Sequence, residues 1–314
     1  EYDCLVPVSG GKDSSYVTMK VIEELKLKPL CVTIRPPLET STGTTNLLNF
    51  LNISGVDHLH ITPNKSDMIL MNRAGFKEFG QGYYGWLTAV HSAVINTAVE
   101  CNISLVFYGE NGELEYGGDS AMKDKLFFDT DYILSKYLSD RHCDILKASG
   151  IKSNRNYSFH QFKSLEKSQM PLLTHWSSFE PWDSYHNYMI AKEKFGLSEN
   201  NEASSGTFTN FSQTDQTLCD LHYYLMYIKF GFGRATQDAG IEIRRGAMTR
   251  QQGLELVKIY DGEPPSEQSI KTICEYLEID SSTYYKWINK HTNKSLFTTV
   301  ENQYPLANKS LPLI

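Results

Sequence analysis

The chain has 314 residues, 40% hydrophobic and 21% charged, the values of a folded globular protein long enough for one large core or two smaller ones. Its 30 Lys and Arg stand against 37 Asp and Glu, a formal net charge of −7, which argues against broad nucleic-acid binding and favours a small or phosphorylated substrate. Cys4, Cys31, Cys101, Cys143, Cys219 and Cys274 are spread singly without zinc-ligand spacing and read as reduced core thiols, while the absence of a bilayer-length apolar run or a secretory h-region points to the cytoplasm.

The chain opens at Glu1 without Met, inside the lead-in to a first strand, as a fragment of a longer polypeptide would. Cys4-Leu5-Val6-Pro7-Val8 predicts that strand, and Val17, Val21 and Leu25, recurring every four residues, predict a helix after it. Between them lies Ser9-Gly10-Gly11-Lys12-Asp13-Ser14. Paired glycines let the backbone take positive φ and approach a ligand, and the unpaired N–H groups of the first helical turn point at the same spot, an anion-binding arrangement. A Walker A loop would need glycine at Val6 and Ser or Thr at Asp13, and both positions fail.

Pro29 to Ile34 predicts a second, buried parallel strand ending at Pro36-Pro37, whose carboxyl edge is where a doubly wound sheet binds nucleotide. Asn46 to Leu51 reads as helix and Asp57 to Thr62 as a third strand, with His58 and His60 on one face. Two strand histidines without a third ligand are hydrogen-bonded or solvent-facing more often than metal-bound. Leu87 to Cys101 predicts a buried helix despite His91 and Asn96, and Leu105 to Tyr108 a fourth strand running into a turn of glycines and acidic residues at Gly109 to Gly118. That turn suits a metal or substrate hydroxyl as well as it suits solvent. Residues 153–215 read as irregular and aromatic. Helices follow from Leu218 to Gly231, from a capping box at Thr249 to Tyr260, from Ser266 to Leu277 and from Ser281 to His291, and the remainder from Asn293 reads as a tail. Lys229, Arg234, Arg244, Arg245 and Arg250 form a basic concentration suited either to phosphate or to ion pairs with Asp238 and Glu242.

The hexapeptide Ser9 to Ser14 resembles the pyrophosphate loop (PP-loop) of ATP pyrophosphatases. With Tyr2 to Val8, Tyr108-Gly109-Glu110-Asn111, Glu115-Tyr116-Gly117-Gly118, Lys229 to Thr236 and Ile243-Arg244, the chain resembles the N-acetyl sugar amidotransferase family of lipopolysaccharide O-antigen and nonulosonic-acid biosynthesis. The resemblance implies an α/β fold with a Rossmann-like parallel sheet; changes of pattern alone set its bounds at 1–152, followed by an aromatic-rich substrate-binding segment over 153–215 and a helical region over 216–314. It implies that ATP adenylates an acetamido oxygen of a nucleotide-activated sugar and that ammonia displaces AMP. ATP would lie on Ser9, Gly10, Gly11, Asp13 and Ser14, with adenine read near Thr33 and Ile34. Among the residues the resemblance makes catalytic, Lys12, Arg234 and Arg244 would neutralise phosphate charge, and Asp13 with Glu110 would hold Mg²⁺. Gly109, Glu110, Asn111, Tyr116, Trp176, Trp182 and Lys229 would meet the sugar nucleotide.

No cysteine sits in a glutaminase motif, so the resemblance also implies a separate glutaminase and a cyclase-like barrel subunit as ammonia source. A homodimer through the C-terminal helices and intramolecular packing of those helices stand equally open. Neither nucleic acid nor membrane is expected as a partner. A PP-loop tRNA-modifying enzyme would want a cysteine relay or a net basic surface, neither of which is present, and a catalytically silent scaffold sits poorly with an intact Lys12-Asp13.

Overall fold

Short strands whose residues alternate between two apolar faces set the architecture, and the computed structural model describes residues 1–109, 111–116, 125–138, 140–151 and 170–297. In β1 (Cys4–Pro7) and β2 (Pro29–Ile34), Leu5, Leu30, Val32 and Ile34 enter one core, while Cys4, Val6 and Cys31 enter another. Both faces are therefore covered, as a parallel sheet requires. Among the described residues six strands form one sheet in the order β3-β2-β1-β4-β6-β5, with β3 (Asp57–Ile61), β4 (Leu105–Tyr108) and β6 (Leu172–His175) parallel and the short β5 (Phe127–Phe128) antiparallel. The protein is a mixed α/β fold with a mostly parallel sheet, as the sequence predicts.

Helices α1 (Lys12–Glu23), α2 (Ser41–Ser54) and α8 (Ser184–Phe195) serve the first face, where Val17, Phe50 and Phe195 meet Cys4, Val6, Phe107, Trp176 and Trp182. The second face is covered by α3 (Lys65–Phe79), α4 (Tyr84–Glu100) and α7 (His142–Ser149) through residues such as Met71, Val94 and Ile145. Between β4 and α7 lie the short helices α5 (Gly112–Glu115) and α6 (Thr130–Tyr132). No described helix is long and apolar enough to cross a membrane.

Beyond α3 the chain builds a further core from α9 (Leu218–Phe230), α12 (Glu267–Leu277) and α13 (Ser281–His291), with α10 (Arg234–Arg244) and α11 (Arg250–Tyr260) alongside. Helix α9 stops where Gly231 takes φ +79°. The capping box of α11 is formed: the Thr249 side chain accepts from the Gln252 amide at 3.2 Å and Gln252 Oε1 from the Thr249 amide at 2.9 Å.

Several expectations are corrected. Helix α1 ends at Glu23, so Leu25 is exposed rather than part of its apolar stripe. The stretch expected to be irregular holds β6, which pairs with β4, and α8, which packs in the layer of α1, so the sheet unit runs past residue 152. A four-residue strand with Leu172 facing solvent is too short to show a period. Leu296 and Phe297, read as tail, pack into the C-terminal core; residues 298–314 lie outside those described. Cys4, Cys31, Cys219 and Cys274 are buried, but Cys101 and Cys143 are exposed. Burial pushes the Cys4 and Cys31 thiols up to about 12, so they stay protonated.

Phe76 of α3 joins the two halves: it is fully buried, with the rings of Tyr284 and Trp287 at 5.7 and 5.2 Å. Phe76→Ala should lower unfolding free energy by about 3–5 kcal/mol in urea titration. A loss below about 1 kcal/mol would mean that the C-terminal helices do not depend on this anchor.

Candidate functional site

The loop after β1 has a conformation only glycine supports. Gly10 takes φ +74°, and a Cβ there would lie 2.4 Å from the backbone N and Cα of Leu47 in α2. Gly11 is the N-cap of α1 and brings no side-chain cap. The first helical hydrogen bond is Ser15 N–H to the Gly11 carbonyl at 3.1 Å, so the amides of Lys12, Asp13 and Ser14 precede the ladder. Ser9 and Ser14 brace the loop: the Ser9 amide donates to Ser14 Oγ at 3.3 Å, the Gly11 amide to Ser9 Oγ at 3.4 Å, and Ser14 Oγ to the Gly11 carbonyl at 3.3 Å. The Lys12 ammonium pairs with Asp13, whose other oxygen accepts from Asn187 Nδ2 of α8 at 3.1 Å. Donors, a helix N-terminus and a buried cation thus converge as a phosphate would require.

This cradle opens into a cavity of about 500 Å³ lined by Ser9, Gly11, Lys12, Asp13 and Ser14. Because β1 lies between β2 and β4, the cavity extends to both sides of the loop. On the β2–β3 side it is lined by Thr33, Ile34, His58 and His60, with Leu47, Leu48 and Leu51 of α2. Thr33 Oγ1 donates to the Val8 carbonyl at 2.6 Å and meets His58 Nε2 at 2.8 Å, so of the two strand histidines in the cavity lining His58 is held by a hydrogen bond. On the β4–β6 side the lining is Gly109, Tyr108, His175, Phe128, His91 and Tyr137. Phe211, Ser212, Gln213, Thr214 and Asp215 also line the cavity, tied to the end of β2 by Thr40 N–H to the Asp215 carbonyl at 3.1 Å and Thr217 N–H to the Leu38 carbonyl at 3.0 Å.

Other residues singled out from the sequence lie elsewhere. Arg234 is buried in an ion pair with Asp238 at 2.9 Å, donates to the Tyr116 hydroxyl at 3.0 Å and lies 4.3 Å from the Tyr116 ring centroid. Arg244 donates to the Glu115 carbonyl, and Arg245 pairs with Glu242 at 2.9 Å. The ion-pair reading of the basic concentration therefore describes Arg234 and Arg245, and neither Arg234 nor Arg244 lines the cavity; the two hold the turn at Glu115-Tyr116. Burial pushes the Glu115 carboxyl up against the opposing pull of Arg244. Lys229 donates to the carbonyls of Phe79 and Gly80 at 3.0 and 3.4 Å, capping α3. Trp176 is core, donating Nε1 to Glu180 at 2.7 Å, an acceptor shared with the Tyr16 hydroxyl at 2.6 Å. Trp182 is nearer the cradle, its Cη2 3.5 Å from where a Gly109 Cβ would lie, and its buried Nε1 has no partner among the described residues. The Asn111 amide donates to Ser177 Oγ at 2.8 Å. Glu110, Gly117 and Gly118 lie outside the described residues. Among the described residues no three His, Cys, Asp or Glu side chains gather as a metal site.

Sequence reasoning missed His91, Phe128, Tyr137, His175, Asn187 and the 211–215 segment. The one available signal was a histidine interrupting an apolar helix, since a buried polar residue needs a reason. Burial pushes the imidazoles of His91 and His175 down to about 4, with His175 adding to the effect on His91. Both are neutral at pH 7.

Two outcomes follow. Gly10→Ala should cost more than about 2 kcal/mol in denaturant midpoint experiments, since it adds left-handed strain to a backbone clash; a neutral effect would mean the loop is not pressed against α2. For the histidines the unfolded value is about 6.5, so between pH 6.5 and 4 the unfolded chain binds more protons. Their contribution is full above that window and declines as pH falls through it, by up to about 1.4 kcal/mol per pH unit per histidine. Asp215, raised to about 6 by burial, titrates with the opposite sign, so the measurement is a difference: Tm against pH should fall less steeply toward acid in His91→Gln than in wild type, and equal slopes would overturn the assignment.

Comparison with known families matches residues 205–310 to the model described as LPS biosynthesis protein WbpG-like, C-terminal domain. No curated protein matches the chain. Among solved structures, the U34-tRNA thiolase NcsA from Methanococcus maripaludis, with its [4Fe-4S] cluster, aligns at 9% identity and a TM-score of 0.38, covering 82% of this chain and 71% of that one. A predicted subunit of tRNA methyltransferase from Methanocaldococcus jannaschii aligns at 15% identity and a TM-score of 0.33, covering 78% and 89%. Likenesses at these scores carry no inference here. The family match includes Phe211 to Asp215 on the cavity wall and the helices from α9 onward. Over residues 205–310 the chain is thus similar to the C-terminal domain of WbpG-like proteins of lipopolysaccharide biosynthesis.

Proposed function

We propose that this protein is an ATP-dependent amidotransferase acting on a nucleotide-activated N-acetyl sugar of the UDP-diacetamido uronic acid class. The observation that carries the reading is the uncapped N-terminus of α1 beneath a glycine-only turn, opening on a cavity with space on both sides of it. The family match at 205–310 supports the polysaccharide context.

In this reaction the acetamido oxygen attacks the α-phosphorus of ATP, the bond to the β-phosphate bridging oxygen breaks, and pyrophosphate leaves. The amide nitrogen loses its proton to give an O-adenyl imidate whose nitrogen is uncharged. Ammonia then adds at the imidate carbon and AMP departs with the former amide oxygen, leaving an acetamidino group. Activation is needed because an amide oxygen is a poor leaving group until it becomes a phosphate ester. The amides of Lys12 to Ser14 and the Lys12 ammonium would stabilise the pyrophosphate, with charge developing where the helix dipole is positive. Asp13 faces the same cavity and would hold Mg²⁺, which usually takes one or two carboxylates together with phosphate oxygens and would neutralise the leaving group. Ammonia would come from a separate glutaminase with a cyclase-like barrel subunit.

Purified protein incubated with ATP, Mg²⁺, ammonium and UDP-diacetamido sugars should release AMP and pyrophosphate, and the sugar should lose the mass difference between O and NH. Asp13→Ala should slow AMP release at least about a hundredfold. Appearance of ADP, or AMP release that ignores the sugar, would sink the reading.

A further inference from the structure

The β4–β6 side of the cavity differs in chemistry from the loop beside it. None of its described lining residues is Asp, Glu, Lys or Arg; it is walled by Phe128, Val90, Tyr108, His91, Tyr137 and His175. Phe128 stacks on His175 with centroids 4.5 Å apart and 13° between planes, and the Tyr137 hydroxyl meets His175 Nε2 at 3.4 Å. Two polar atoms in this wall are buried and have no partner among the described residues: His91 Nδ1, on a side chain only 6% exposed, and the Tyr108 hydroxyl. Groups left in that condition destabilise the fold, so they mark a place where an occupant supplies the missing partners. Burial keeps the imidazole neutral and the phenol protonated, so the pair offers a hydroxyl donor and an imidazole nitrogen without charge.

We infer that this lobe is the acceptor subsite and that it holds a neutral secondary amide, with the amide C=O and N–H satisfied by Tyr108 and His91 and the methyl against Phe128 and Val90. The assignment rests on the reading above for the sugar that carries the amide, but the amide itself is recognised by this wall alone. Strand order places the lobe across the phosphate cradle from the β2–β3 side. An acceptor here and a nucleoside there would both reach the phosphates.

The test uses the full chain, wild type and with Tyr108→Phe or His91→Gln, and three probes: N-methylacetamide by saturation-transfer NMR, and UDP-N-acetylglucosamine and UDP-glucose by calorimetry in the presence of a non-hydrolysable ATP analogue. Tyr108→Phe removes a hydroxyl that has no partner, so its Tm should be unchanged or higher, while N-methylacetamide and UDP-N-acetylglucosamine bind about 5- to 10-fold more weakly and UDP-glucose and the ATP analogue are unaffected. Binding of N-methylacetamide that both substitutions weaken, without any UDP-sugar binding, would keep the amide subsite and remove the nucleotide-sugar reading. UDP-sugar binding that both variants leave intact would do the reverse. Equal weakening of the ATP analogue would assign the lobe to the nucleotide instead.

Discussion

The contact between Gly10 and the backbone of α2 is the constraint from which the site follows. Because Leu47 occupies the space a side chain would need, the chain turns left-handed at Gly10 and enters α1 at Gly11 with no side-chain cap. The unpaired amides of the first turn are then left for something other than the protein to satisfy. Helix α2 is held in turn by Asn46, buried and hydrogen-bonded through both ends of its amide to Ser198 at 2.9 and 2.7 Å. Displacing that lock would remove the backbone against which the turn is pressed. The cradle is thus a tertiary feature, although its residues are consecutive.

Much of the sheet could be read in advance, for a physical reason. Buried parallel strands appear as uninterrupted apolar runs, and β1, β2 and β4 have that form, as do helices with strong stop signals such as Gly231 and the Thr249 cap. The part around β6 and α8 was obscure because a short strand and a helix whose apolar residues do not segregate to one side leave little periodicity. The loop motif led to Ser9 through Ser14, and the aromatic–histidine wall did not emerge, because its members come from α4, β4, β6 and the residues around β5 and α6, distant in sequence and joined only by strand order.

The arginines show how motif and role can separate. Arg234 and Arg244 sit in the stretch that first suggested phosphate binding, yet their partners are Asp238, Tyr116 and the Glu115 carbonyl. Their effect is to fasten the turn after β4 to α10, which makes the C-terminal helices a support for the cavity rim. The 211–215 segment lines the cavity directly, so the two halves of the chain meet at the site as well as at Phe76. The cavity therefore draws part of its lining from the C-terminal third of the chain.

The division of charge within the cavity bears on how the site could order its chemistry. Lys12, Asp13 and the α1 N-terminus are concentrated at its centre, whereas the β4–β6 wall has neutral imidazoles, phenols and a phenyl ring. A charged group entering that wall would lose hydration without gaining a counter-charge, a cost of several kcal/mol even after relaxation. A neutral polar group would lose far less and would recover it in hydrogen bonds to His91 and Tyr108. Protonating the histidines would reverse this preference, and burial opposes protonation down to about 4. On the proposed reading the wall would favour uncharged groups through the neutral range, beside a loop whose helix N-terminus would favour anions. That adjacency would suit the proposed activation of a neutral carbonyl by a polyanion, two reactants whose solvation demands conflict in water and would be met on opposite sides of one glycine turn.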